Sequence, residues 1–385
     1  MSGALKWDEW ETVRLGDLIT ESSVRNKKNE DIPVYSVTND LGFCTGYFSK
    51  DVSSKDKSTY KIVPYGSFAY NPSRINVGSV AWQSCEERVI ISPLYVVFKV
   101  SEKVDKQYLL HYLKSDVIQT YIRALASGSV RDNLKFSILQ EFQFTLRPLP
   151  EQKRIANILD KIASLISLRK TQLEKLDELV KARFVEMFGD VELNPNEYPI
   201  KNFEEISVLI TDGEHATPLR TEKGIYLLSA RNVLNHALQL NDVDYIDEDE
   251  YNRIARRVTP QAGDVLISCS GSIGRCCVVP AGLKFQMVRS MALIRFDDTI
   301  NPIFAEWLIT SDELQRQIVQ SSTQSSQANL FQGKIRKLHG YVPPMELQNQ
   351  FASFVKQTDK SKSIIQQSLD TLETLKKSLM QEYFG

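Results

Sequence analysis

The residues of this chain best suited to chemistry are the Arg, Asn, Gln, Ser and His side chains of a few loops rich in small residues, and the chemistry they suit is reading base edges. Arg matches guanine in a bidentate fork, Asn and Gln match adenine, and small hydroxyls and amides match phosphate. Early in the chain NPSRINVGS (71–79) supplies Asn71, Arg74 and Asn76, and SGSVRDN (127–133) supplies Ser129 and Arg131. Later, TDGEHATPLR (211–220) supplies His215 and Thr217, and the triplet at 230–232 supplies Arg231 and Asn232. SCSGSIGR (268–275) adds Ser270, Ser272 and Arg275, and SSTQSSQAN (321–329) adds Gln324 and Gln327. Singly, such loops are ordinary turn chemistry; their occurrence in matched sets gives them weight. Asn133 and Asn329 occur in both sets and suit a capping or bracing role as well as a contact. Arg74, Arg231 and Arg275 are the better specificity candidates, and Arg131 is replaced by Gln327 in the later set. The basic clusters at 25–28, 253–257 and 334–337 are candidate phosphate contacts, with a solvated face as the plainer reading.

Bond-making chemistry is missing. The NPSR turn lacks the second proline and the aromatic of the N-P-P-aromatic turn that an adenine-modifying enzyme sets beside a glycine-rich cofactor loop. The glycines of SGSIGR (270–275) do not form G-x-G-x-x-G and fall between two strand-like runs, so they do not suit a nucleotide cradle. The acidic run at 242–250 has neither the spacing nor the glycine of a calcium loop and reads as a solvated turn leading into a helix. Nucleophile-elbow and triad signatures are absent. Cys44, Cys85, Cys269, Cys276 and Cys277 form no CxxC pair, and His111, His215, His236 and His339 are not spaced as ligands. The expectation is a chain with no catalytic residues, no metal and no cofactor of its own.

Composition sets the remaining bounds. The chain has 385 residues, 42% hydrophobic and 25% charged, enough for a core in each of two or three domains. With 47 Lys and Arg against 48 Asp and Glu, the formal charge of −1 excludes bulk polyanion binding while leaving room for local basic patches. The N-terminus has no apolar signal core, and no run approaches the ~18 apolar residues of a membrane span. A cytoplasmic protein with reduced thiols is expected.

The loops must be positioned by something, and one stretch organises the rest. From Leu149 to Gly189, apolar residues recur at three- and four-residue steps, with Pro148 and Pro150 before the run and Gly189 after it. Roughly 35 residues at ~1.5 Å each make a rod on the order of 50 Å, too long for one small domain to bury. Its partner lies in the same chain: shifted by 196, Pro148 falls on Pro344, Gln152 on Gln348, Leu176 on Leu372 and Gly189 on Gly385. The register holds upstream, where Ser115 meets Ser311 and Asn133 meets Asn329. Two copies of one unit follow, each a globular segment and a long helix. Ile155, Ile162, Leu173, Leu176 and Leu179 on the first helix, and Phe351, Leu369, Leu372 and Leu375 on the second, are the expected pairing and partner-interface positions.

Within each globular segment, short β-rich runs separated by Asn, Gly, Ser and Pro predict a small mixed sheet with long loops, followed by a helix over 108–125 or 304–319. The expected fold class is mixed α/β, of the α+β kind: two globular domains with small mixed β-sheets, joined by two long helices as an antiparallel coiled coil with internal two-fold repetition. The bounds are 1–147 and 190–342 for the globular domains, and 148–189 and 343–385 for the helices. Like scaffolds with unlike loops suggest two recognition surfaces on one architecture.

This layout resembles the specificity subunit of a Type I restriction-modification system. The resemblance covers essentially the whole chain and rests on LPEQKRIA (149–156), degraded to PPMELQ (343–348), on DGEH (212–215), on GDVLIS (263–268) followed by GSIGR (271–275), and on NPSRINVG (71–78). It implies a non-catalytic reader of double-stranded DNA whose target-recognition domains each bind half of a bipartite site, with the helices setting the spacer. It also implies two docked methyltransferase subunits that bring S-adenosylmethionine and flip the adenine, and restriction (motor-endonuclease) subunits that can join. A coiled-coil adaptor with paired protein-binding heads is the alternative, and a self-sufficient methyltransferase or nuclease a weaker one.

Overall fold

The computed structural model describes residues 10–46, 56–126, 133–322 and 329–385. The chain divides into two compact units, one formed by Met1–Lys170 with Gln366–Gly385 and the other by Thr171–Ile365. The two long helices run Leu149–Phe188 and Met345–Phe384, so their first and last residues are each 196 apart. Each helix therefore gives one part to each unit.

In the first unit, Ile19–Glu21, Val96–Val100, Phe68–Tyr70 and Val80–Trp82 form a four-stranded antiparallel sheet in that order, in register at Ile19 with Val100 and at Phe68 with both Phe98 and Trp82. Thr12–Arg14 pairs with Gln143–Thr145. The helices Lys106–Leu113 and Asp116–Ala126 follow the sheet. The apolar face of the sheet meets Tyr108, Leu109 and Leu113, then Ile155, Ala156 and Leu159 of the first long helix and Tyr383 of the second, all buried in one core. Lys170 pairs with Glu373 at 3.0 Å while Tyr383 lies in the core beside Leu159, so the two helix segments run antiparallel.

The second unit repeats this plan. Ser207–Asp212, Met291–Phe296, Val265–Ser268 and Cys276–Val278 give the equivalent four-stranded order, and Ile200–Asn202 pairs with His339–Tyr341. A three-stranded sheet is added, in which Ile225–Leu228 pairs antiparallel with Asp244–Ile246 and parallel with Phe285–Met287. The core is aromatic: Phe184 stacks on Phe304 at 5.7 Å between centroids, and Phe188 meets Phe304 and Phe351 edge-on. Within this unit the parts of the two long helices are linked by the ion pair of Asp177 with Lys362 at 2.6 Å.

Two expectations need correction. The helices predicted over 108–125 and 304–319 are each broken in two, into Lys106–Leu113 and Asp116–Ala126, and into Pro302–Ile309 and Asp312–Ser322. The cause is the serine at the repeat position. The Ser115 hydroxyl donates to the Tyr112 carbonyl at 2.8 Å and the Ser311 hydroxyl to the Leu308 carbonyl at 2.7 Å, ending one helix where the next begins. The pairing stripe also corrects. Ile155, Ile162, Phe351 and Leu369 are buried and Leu173, Leu176 and Leu372 half-buried, but Leu179 is 48% and Leu375 44% exposed. The buried seam past Leu176 runs through Val180 and Phe184, one residue round the helix from Leu179. Leu179 and Leu375 are equivalent positions, so the repeat preserves even this outward turn.

Candidate nucleic-acid interface

In each unit a hairpin loop is tied to the residue that follows the second loop the sequence pairs with it. The loop between Phe68–Tyr70 and Val80–Trp82 is residues 71–79, and the backbone N–H of Leu134 donates to its Pro72 carbonyl at 3.1 Å. The loop between Val265–Ser268 and Cys276–Val278 is its counterpart, and the backbone N–H of Leu330 donates to its Cys269 carbonyl at 2.9 Å. Leu134 and Leu330 are 196 apart and both buried. Each hairpin loop is thus tied at the same point to the segment that follows the helices, over different side chains.

The first loop is braced from within. The Asn71 side-chain oxygen accepts the Ser73 N–H at 3.1 Å, and the Ser73 hydroxyl donates to the Asn133 side-chain oxygen at 2.5 Å. The buried Tyr70 hydroxyl donates to the Leu134 carbonyl at 3.1 Å, and burial raises its pKa. Gly78 has φ +87, and a Cβ there would lie 2.3 Å from the Asn39 side-chain oxygen, so the turn needs glycine. Arg74 is left exposed and Asn76 half-buried, with no side-chain partner for either among the described residues. Asn133 therefore acts here as a brace. Ser129 and Arg131 lie outside the described residues.

The second loop closes on Ser268, whose hydroxyl donates to the Ser272 carbonyl at 2.5 Å and accepts the Arg275 N–H at 3.0 Å. Gln315 clamps it from the helix below, donating to the Gly274 carbonyl at 3.0 Å. Ser272 is exposed and Ser270 and Arg275 half-buried. Gln324 and Gln327 lie outside the described residues. His215 and Thr217 are exposed on the loop after Ser207–Asp212. Arg231 is exposed and faces Asp244 at 3.2 Å and Asp242 at 3.8 Å, a solvent-screened pairing that another anion can displace.

Asn232 leaves the set of candidate contacts. It is 1% exposed, its side-chain oxygen accepts the Ser229 N–H at 2.9 Å, and its amide donates to the Gln239 and Asp242 carbonyls at 3.0 and 2.8 Å. A fully occupied buried amide holds a turn and has nothing left for a base. Sequence reading also passed over Gln315 and Ser268, which shape the second loop. Their signal was the repeat: Gln315 corresponds to Gln119, and both donate to the carbonyl six residues earlier, at 2.8 and 2.7 Å.

The cysteines in this region are structural. Burial pushes the Cys269 thiol up to about 12, far from the thiolate a nucleophile needs. Among the described residues no three His, Cys, Asp or Glu side chains converge as a metal site, and no helix is long and apolar enough to cross a membrane.

The doubled loop geometry has a counterpart in known proteins. The family model described as the Type I restriction modification DNA specificity domain matches residues 7–178 and again 215–374, two matches whose ends are 196 apart. The chain belongs to that family. It is 23% identical to the Type I restriction enzyme EcoBI specificity subunit of Escherichia coli, over 94% of this chain and 81% of that protein. It is 22% identical to the MjaVIII specificity subunit of Methanocaldococcus jannaschii, over 99% of this chain and 93% of that protein. In fold it is similar to the crystal structure of the Type I restriction-modification S subunit from M. genitalium, with a TM-score of 0.63, 16% identity and coverage of 100% of this chain and 99% of that one. The fold class expected from the sequence, a doubled mixed α/β scaffold on two long helices, is that of this family.

Proposed function

We propose that this family member is the sequence-specific DNA-recognition subunit of a Type I restriction-modification complex, each unit reading one half of a bipartite site. The observation that carries the reading is the doubled hairpin loop: one backbone frame, fixed through Leu134 and Leu330, presents Arg74 and Asn76 in one unit and Ser270, Ser272 and Arg275 in the other. Two such surfaces with different side chains suit two different short sequences. The long helices act as the spacer between the halves. Positions such as Leu179 and Leu375, turned outward on both helices, suit the docking of two copies of one methyltransferase subunit. That partner brings S-adenosylmethionine and the bond-making chemistry, restriction subunits can join, and the assembly works in the cytoplasm.

An electrophoretic shift with mixed-sequence duplex DNA, run with and without the partner methyltransferase, tests this against the adaptor reading. A retarded, sequence-dependent complex supports the DNA reader; binding to the partner with no DNA retention at any salt concentration refutes it.

A further inference from the structure

The loop at 212–220 is built around one carboxylate. Asp212 ends the edge strand Ser207–Asp212, is half-buried, and accepts from three side chains on three different elements. The Arg257 guanidinium reaches its Oδ1 at 2.5 Å, the Gln332 amide donates to the same oxygen, and His215 Nε2 lies 2.8 Å from its Oδ2. Burial alone would raise the Asp212 pKa, but the hydrogen bonds from Gln332 and His215 outweigh it and hold the carboxyl below its usual range. Arg257 also donates to the Gly213 carbonyl at 2.9 Å.

The surrounding backbone is equally fixed. A Cβ on Gly213 would lie 2.4 Å from the Met287 carbonyl oxygen, so only glycine fits. Glu214 donates its N–H to Met287 at 2.8 Å and accepts the Arg289 N–H at 3.0 Å, while the buried Glu250 carboxylate accepts the Leu219 N–H at 3.0 Å. Out of this frame projects His215, whose side chain is 56% exposed.

A carboxylate only accepts, so the nitrogen facing Asp212 carries the proton. The neutral imidazole then has its hydrogen on Nε2 and a bare lone pair on Nδ1, for which no partner exists among the described residues. We infer that Asp212 is a positioning residue that holds His215 in the Nε2–H tautomer, so that Nδ1 accepts from the exocyclic amino group of one adenine or cytosine in the half-site read by the second unit. The inference rests on the DNA-reading function proposed above. Adenine N6 and cytosine N4 are the amino donors of the major groove, so an acceptor-only atom discriminates for them and against guanine O6 and thymine O4. Gln332 adds a second consequence: it starts the short helix Gln332–Ile335, just past Leu330, so Asp212 couples this loop to the segment that braces the other recognition loop.

The test selects binding sites from a randomised duplex library with the full chain and its partner methyltransferase. His215→Ala and Asp212→Asn are each expected to relax the same single position of one half-site by about tenfold or more, with the other half-site and the thermal midpoint of the exposed-surface variant His215→Ala unchanged. The double variant is expected to be no worse than His215→Ala alone. In synthetic duplexes, removing the amino group at that position (purine for adenine, or pyrimidin-2-one for cytosine) should weaken the wild type by the same factor and leave His215→Ala unaffected. Unaltered selectivity of His215→Ala, additive effects of the two substitutions, or a loss spread over both half-sites would each overturn the inference. A wild-type complex that selects no second half-site would instead overturn the underlying function.

Discussion

Gln152 and Gln348 stand 196 residues apart, each fully buried, and make the same three hydrogen bonds. The Gln152 side-chain oxygen accepts the Asp105 N–H at 2.8 Å, and its amide donates to the Lys103 and Arg147 carbonyls at 3.0 and 2.7 Å. Gln348 accepts the Asn301 N–H at 2.8 Å and donates to Thr299 and Pro343 at 3.0 and 2.8 Å. Asp105 and Asn301 each cap the helix that follows the sheet, so one glutamine locks each long helix to the body it carries. The neighbouring change, Glu151 to Leu347, leaves this lock intact. Replacing either glutamine by Ala should cost roughly 2–4 kcal/mol, because three buried backbone groups lose their partners at ~1–3 kcal/mol each with partial relaxation. Chemical denaturation of each variant checks it, and a loss below about 0.5 kcal/mol would refute the lock.

The helix seam should be sharply graded. Phe351 is fully buried against Phe184, Phe188 and Trp307, so Phe351→Ala should cost about 3–5 kcal/mol. Leu179→Ala and Leu375→Ala should change the isolated chain by no more than about 0.5 kcal/mol, being solvent-facing. If those two cost as much as Phe351→Ala, the seam is wrongly placed.

Acid should loosen the first unit through His111. Its Nε2 lies 2.8 Å from Asp160, yet burial is the larger influence and, with Lys376 and Lys114 nearby, holds the imidazole below its usual range despite that carboxylate. A histidine depressed in the fold is protonated first in the unfolded chain. Its contribution is therefore fully present above the unfolded value of about 6.5 and is lost as pH falls below it. Between about pH 7.5 and 5.5, the Tm of the wild type should fall more steeply than that of His111→Gln; parallel slopes would contradict the assignment. Trp307 occupies the matching position in the second unit.

Arg74 and Arg275 should separate the two half-sites. Neither guanidinium has a hydrogen-bond or ion-pair partner among the described residues, so each is free for a base or a phosphate. Arg74→Ala should relax selectivity in one half-site and Arg275→Ala in the other, each by about 1–3 kcal/mol at a single position, read by competition binding with substituted duplexes. A uniform loss across all sequences would mark a phosphate contact instead.

Much of this architecture was legible because repetition is a property of the sequence alone. The common register of Pro148 with Pro344 and Gly189 with Gly385 located both long helices, and the glycine and serine loops at 71–79 and 268–275 are indeed hairpin loops on equivalent strands. What escaped depends on the third dimension. Ser115 fits a helical apolar pattern until its hydroxyl finds the Tyr112 carbonyl. Asn232 has the chemistry of a base reader, but only the fold shows its amide turned inward. Leu179 keeps the three- and four-residue steps while lying one residue off the buried seam, a difference that periodicity cannot resolve over a helix of 40 residues.

The central claim is that two readers on one doubled scaffold recognise two halves of a single DNA site. Reconstituting the chain with its methyltransferase partner and mapping the methylated adenines across a genome tests it most directly. The account predicts two short, unrelated half-sites separated by a fixed gap of unspecified bases. A single continuous recognition sequence would contradict it.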